Sequence, residues 1–253
     1  MERLGERDVS EYSQLDMVHR LPSARLVDRF EYLTDLGTGR RVVHVGFVDA
    51  GCQTMNVDAD AWLHEHLASS ARELVGLDLD EDGVARARAR GYDAHAVDCR
   101  DADAIRALGL APADLVVAGE VIEHLDDCGP FLDGLHALVA PSGMLAVTTP
   151  NGASLTNALA ALVNLEVNHP DHVVSLTSHT LDTMLRRHGW EPVEHAVFVY
   201  EVKTRADGTV RGRTLTSGAR VILGVERFLA RLGRPYLAGG LVVVARPIAA
   251  REG

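Results

Sequence analysis

The sequence predicts an α/β fold on a mostly parallel sheet with helices on both faces. Three observations support this: short β-branched runs alternate with helical ones, the connections between them are short, and each β-like run ends in polar residues. At 253 residues, 47% hydrophobic and 24% charged, the chain has material for one domain with a substantial core and an appendage.

The elements follow in order. The runs "RVVHVG" ending at Gly46, "ELVGLDLD" from Glu73, "DAHAVD" from Asp93, "ADLVVAGE" from Ala113 and "GMLAVTTPN" from Gly143 read as strands. Helices are expected over Ala59 to Ala71, Glu81 to Arg90, Ala102 to Leu108 and Gly129 to Val139. After Asn151 come a short helical run, a polar loop "NHPDH", and an amphipathic helix in "TSHTLDTMLRRHGW" that opens on Thr or Ser caps and ends at Gly189. The runs "EPVEHAVFVYEV" and "GGLVVVARPI" read as two more strands. Lys203 to Leu237, between them, is too long for a hairpin loop and contains a helical stretch, so it is expected to be an inserted lid or interface element.

A formal charge of −11 argues against a general nucleic-acid binder, which gains affinity by neutralising phosphates. The charge is uneven: from Val202 onward, ten Lys and Arg stand against three Asp and Glu. This basic end is either a solvated face or a site for an anionic or polyhydroxylated substrate. Cys52, Cys99 and Cys128 form no metal or disulfide pattern, which fits a reducing compartment. The charged N-terminus and the lack of a spanning-length apolar run place the protein in the cytoplasm, away from the membrane.

In parallel sheets, ligands bind outside the carboxyl ends of the strands. The residues there are Gly46 to Gly51, Asp78 and Asp80, Asp98, Glu120 to His124, and Thr149 to Asn151. Asp78 ends the second strand, where a carboxylate can accept from both hydroxyls of a nucleoside ribose. Asp98, beside Cys99, either contacts the base or caps the helix of "RDADAIRAL". The loop after Gly46, "FVDAG", lacks the glycines that a pyrophosphate needs, which counts against a nicotinamide or flavin dehydrogenase. In "WLHEHL", His64 and His66 point to different faces of a helix and do not make a metal pair, while Trp62 and Leu63 read as packing residues.

The order of "VVHVG", "VGLDLD", "AVDCRD", "DLVVAGEVIEHL", "PSGMLAVTTPN" and "HVVSLTSHTLDTMLRRHGW" resembles class I S-adenosylmethionine-dependent methyltransferases from about Arg40 to Tyr200. The resemblance implies a Rossmann-like, seven-stranded sheet with an antiparallel last strand, and S-adenosyl-L-methionine as cofactor across the first strand ends. It divides the chain into an N-terminal helical segment (1–39), a cofactor-binding core (40–200), the inserted element (203–237), and a last strand and tail (238–253). Gly46 and Phe47, Asp78 and Leu79, Asp98 and Cys99, and Gly119 and Glu120 occupy its cofactor-binding positions. The chain departs from the pattern at His44, where an acid is usual, and at Val48 and Ala50, where glycines are usual.

If "GEVIEHL" enters a helical turn, Glu120, Glu123 and His124 share one face, with His169 and His172 available from the later loop. The set resembles the E-x-x-E-H motif and later D-H of metal-dependent small-RNA terminal 2'-O-methyltransferases, with metal ligands Glu120, Glu123, His124 and His172. "EVIEHL" also occurs in small-molecule methyltransferases without metal. Two routes therefore stand: a divalent cation such as Mg or Mn that activates the acceptor hydroxyl, or His124, His169 or His172 as general base. Both favour oxygen as acceptor atom.

The expected activity is O-methylation of a small polar metabolite, a sugar or natural-product intermediate. The sugar preference rests on the His-rich acceptor side and the basic C-terminal region. RNA 2'-O-methylation and a non-catalytic interaction module are the alternatives. The expected partner is a small-molecule hydroxyl acceptor, not nucleic acid, and homo-oligomerisation is left open.

Overall fold

The computed structural model describes residues 17–48, 62–201 and 210–248. Along these the chain runs β1 (Arg25–Leu26), α1 (Arg29–Gly37), β2 (Arg41–Val45), α2 (Leu63–Ala68), β3 (Glu73–Asp78), α3 (Glu81–Ala89), β4 (Asp93–Ala96), α4 (Ala102–Ala107), β5 (Ala113–Gly119), α5 (Cys128–Gly134) and β6 (Val139–Pro150). It continues through α6 (Leu155–Leu162), α7 (Ser178–Arg187), β7 (Trp190–Phe198), α8 (Val210–Arg231) and β8 (Gly240–Pro247).

One sheet holds eight strands in the order β1-β7-β8-β6-β5-β2-β3-β4. All neighbours are parallel except that β8 runs antiparallel to β6 and to β7. This is the expected Rossmann-like sheet with its antiparallel last strand, corrected from seven strands to eight. The addition is β1, whose Arg25 and Leu26 register against Ala196 and Val197. Two residues carry no periodicity, so pattern reading had no means of finding it.

From β2 the chain steps outward to β3 and β4, then crosses to β5 on the other side. The strand order therefore reverses between β2 and β5, where a ligand crevice is expected. Because β7 runs parallel to β6, its end at Phe198 reaches the same edge of the sheet as the ends of β5 and β6.

Side-chain alternation divides the core. Val43, Val45, Val116, Ala118 and Val147 pack with α4, α5 and α7 on one face, while Val42, Leu115, Val117 and Ala146 pack with α1 and α2 on the other. Side-chain caps set the helix starts. Asp28 begins α1, Asp80 begins α3, Ser154 begins α6, and Thr177 forms a capping box with Thr180 at α7. At α4 the cap is Asp101, which accepts from the Asp103 and Ala104 amides, and not Asp98 as one reading held.

Helix boundaries differ from expectation in two places. The helix expected from Ala59 begins, within the described residues, at Leu63. The one expected over Gly129 to Val139 ends at Gly134 and passes through a 3-10 turn, Leu135–Ala137, into β6. The stretch between β7 and β8 holds α8, 22 residues long. Cys99 and Cys128 are free and buried, whereas Cys52 lies outside the described residues. No described helix is long and apolar enough to cross a membrane.

Candidate active site

The site is built where β5 ends. Glu120 has φ +58°, a left-handed conformation that costs a non-glycine residue about 1–3 kcal/mol and persists only when its surroundings enforce it. Its amide donates to the Thr148 carbonyl, and its carboxylate accepts from the Thr148 hydroxyl (3.0 Å) and the Tyr200 hydroxyl (2.6 Å). Arg29, at the start of α1, lies 3.4 Å from the same carboxylate. Burial first, then the charge of Glu120, holds the Tyr200 phenol well above its ordinary value, so it stays a donor.

Beyond Glu120 the chain makes a single 3-10 turn, Ile122–His124, in place of the expected α-helical turn. Glu120 and Glu123 consequently leave in different directions. Glu123 is 1% exposed; its Oε2 accepts from the Thr149 hydroxyl (3.0 Å), while Oε1 is buried with no partner among the described residues. Burial, and second the charge of Glu120, push its carboxyl up to about 8.

The loop after α6 folds onto this turn, with the Val173 and Val174 amides donating to the Glu123 carbonyl. It carries His172 to His124, with ring centroids 4.6 Å apart. The partners of the two rings set their tautomers. His124 Nδ1 donates to the Asp171 carbonyl (3.3 Å), and His172 Nδ1 donates to Asn168 Oδ1 (2.9 Å), leaving the lone pair of each on Nε2. The His169 amide also donates to Asn168 Oδ1, which fixes the orientation of that amide. Burial, then His124 and His169, lower the pKa of His172, so its imidazole is neutral at physiological pH.

One ligand atom from each of Glu123, His124 and His172 lies within 4.8 Å of the others. Of the four expected ligands, three come together. Glu120 is held apart by Arg29, Tyr200 and Thr148, and the His169 ring is 6.1 Å from that of His124. Two imidazoles, one carboxylate and open positions suit Mn, Fe, Co or Zn. A cavity of about 330 Å³ opens beside His172, lined also by Pro150, Asn157, Leu165, Asn168 and Ser175. That is room for a small ligand.

Across the crevice, Gly46 has φ +68°, and a Cβ there would stand 2.2 Å from a Val121 methyl, so only glycine fits. Phe47 is buried, its ring packed over Gly76, and its carbonyl accepts from the Trp62 indole. Asp78 accepts from the Val48 and Asp80 amides (2.8 and 3.0 Å). The Leu79 amide also acts on this carboxylate, and with about four acceptor positions it keeps capacity for a ligand hydroxyl. Leu79 beside it is 59% exposed, an apolar surface where a base can lie. Asp98 is engaged by Arg100 in a bidentate pair, which lowers its pKa, and buried Cys99 has its thiol pushed up to about 12, first by desolvation. Asp78 and Leu79 are compatible with the adenosine end of the expected cofactor, whereas the Asp98 carboxylate is already taken by Arg100.

Three groups escaped the sequence reading. Arg29 and Tyr200 reach Glu120 from positions 91 and 80 residues away, with no local pattern to mark them. The third is a buried pair, His44 and His64, whose Nδ1 atoms are 3.2 Å apart. Desolvation lowers both, His64 to about 3. The pair ties α2 to β2 at the position where the resemblance leads one to expect an acid.

Comparison with known proteins agrees. A family model described as "Methyltransferase domain" matches residues 9–195. A probable S-adenosylmethionine-dependent methyltransferase of Mycolicibacterium smegmatis is 31% identical over 64% of this chain, and the match spans 60% of that relative's length. A ubiquinone biosynthesis O-methyltransferase of Ruegeria pomeroyi is 30% identical over 67% of this chain and 69% of its own. The crystal structure of a SAM-dependent methyltransferase from Archaeoglobus fulgidus aligns with a TM-score of 0.49 at 16% identity, covering 85% of this chain and 89% of that one. The family-model match over most of its length makes this chain a member of the methyltransferase-domain family.

Proposed function

We propose that the chain methylates a hydroxyl oxygen of a small polar metabolite, with Glu123, His124 and His172 as the acceptor-side chemistry. The observation that carries this is the convergence of those three groups, of which His172 lines an open cavity. The name of the Ruegeria pomeroyi relative, an O-methyltransferase, supports an oxygen acceptor. Asn157, Asn168 and Ser175 along the cavity suit a polyhydroxylated acceptor such as a sugar.

S-adenosylmethionine supplies an activated methyl group, so the protein's part is chiefly alignment, worth up to about 7–11 kcal/mol, and removal of one proton. In this reading Asp78 holds the ribose hydroxyls, Leu79 and the Asp98–Cys99 corner flank the base, and Gly46 lets the chain pass close by. Neutral His172, its Nε2 lone pair free, takes the acceptor proton, an effect typically worth about 100- to 10,000-fold. The alternative route is a divalent cation held by Glu123 Oε1, His124 and His172: it would take the His172 Nε2 lone pair, so His172 would then not be the base, and it would supply Lewis acidity at the acceptor hydroxyl, a role the unpartnered Oε1 fits.

The test uses methyl-labelled S-adenosylmethionine with sugars and catechols, each paired with its deoxy analogue. Label on oxygen only, with kcat down about 100-fold or more in His172→Ala and Glu123→Gln, is the expected result. Transfer to nitrogen, or variants as fast as the parent, would overturn the reading.

A further inference from the structure

Over its described side chains from Val221 onward, helix α8 is apolar on two opposite faces. Inward, Ala230 is buried and Leu223 packs against Val197 and Leu241. Outward, Val221, Val225 and Phe228, with Leu232 in the turn just past the helix end, follow at spacings of four, three and four, a single stripe. These four are 66, 41, 59 and 60% exposed.

The neighbouring helix α6 does the same. Its Thr156 amide and hydroxyl both donate to the buried Glu226 of α8, which docks the two helices together. Leu159 and Leu162 of α6, one turn apart, are exposed as well. Isolated exposed apolar residues need no explanation, but six of them on two docked helices do.

Charge selects the occupant. Arg227 and Arg231, one turn apart, are exposed along one side of the helix next to the stripe, and Arg234 follows just past the helix end. The acid on the described turns of α8, Glu226, faces inward. An apolar stripe edged by arginines matches the boundary of an anionic bilayer, where the side chains enter the acyl region and the guanidinium groups stay with the phosphates. The overall charge of −11 does not oppose this, since acids farther away than about 10 Å are largely screened in physiological salt. A second copy fits less well: a two-fold contact sets a patch against itself and would bring the arginines of both copies to one seam. Lying on a bilayer requires a stripe and not a span, so the lack of a membrane-crossing helix does not bear on it.

We infer that the outward face of α6 and α8 seats the protein on the surface of an anionic lipid bilayer. This is independent of the acceptor assigned above. The test is flotation of the full chain with vesicles of phosphatidylcholine alone and of phosphatidylcholine with phosphatidylglycerol, at low and raised salt. The parent should float with the anionic vesicles, and raised salt should weaken the binding. Arg227→Glu with Arg231→Glu, and separately Val225→Ser with Phe228→Ser, should each lower the partition by about tenfold or more. All four positions are exposed, and unchanged circular dichroism confirms the fold of each variant. No binding to anionic vesicles at low salt, equal binding to both vesicle types, or binding that either double variant leaves intact would overturn the inference. A concentration-dependent dimer abolished by Phe228→Ser would also overturn it, by assigning the face to a second copy.

Discussion

Glu123→Gln should make the metal-free protein more stable, and only above a definite pH. The native carboxyl is held at about 8 against an ordinary 4.5. Between those values the native state keeps a proton that the unfolded chain has released, so stability is fully present below 4.5 and is lost as pH rises to about 8. Each unit is worth about 1.36 kcal/mol, so the full loss is about 5 kcal/mol, half of it reached midway through the window. Glutamine resembles the protonated acid: its carbonyl can still accept from Thr149, and it has no proton to lose. Urea unfolding of both proteins, with chelator, across that window gives the difference directly. The two should be nearly equal at the acid end, with the variant ahead by several kcal/mol at the alkaline end. A difference that does not change with pH, or a parent more stable at the alkaline end, would refute the assignment of a buried, unpaired carboxyl.

Three further outcomes follow from the same geometry. Mn or Zn added to stripped protein should raise its stability, by about 2.7 kcal/mol at a hundredfold excess over Kd, and should do so more strongly as pH rises and Glu123 gives up its proton; Glu123→Gln and His172→Ala should abolish the effect in a thermal melt. His44 and His64, both held neutral by burial, contribute stability that is lost as pH falls below their ordinary 6.5, so the parent's melting temperature should drop on the acid side and a His44→Leu, His64→Leu protein should drop less. Tyr200→Phe removes a donor from Glu120 and should cost about 1–3 kcal/mol in denaturant unfolding, whereas a neutral result would mean that Arg29 and Thr148 hold Glu120 alone.

The strands were legible because buried parallel strands are written as β-branched runs, and Asp78 stands at the end of β3 as that pattern implied. His172 could be proposed from the residues of its loop, but its contact with His124 depends on the Val173 and Val174 amides docking to Glu123, which no spacing encodes. Glu120 was misplaced for a definite reason. Spacing rules assume an unbroken helical turn, and the left-handed backbone at Glu120 with the 3-10 turn after it sends that carboxylate toward Arg29 and Tyr200. The His44–His64 pair was hidden in a similar way, since helix geometry excluded His64 with His66 and said nothing about a strand 20 residues earlier.

The central proposal is that Asp78 holds the adenosine end of the cofactor. Its most direct test is calorimetric titration of the full chain, and of Asp78→Ala, with S-adenosylhomocysteine. The account predicts saturable binding by the parent and a loss of about 10- to 100-fold in the variant, the worth of hydrogen bonds to a charged group. Binding that is equal in the two proteins, or absent from the folded parent, would contradict it.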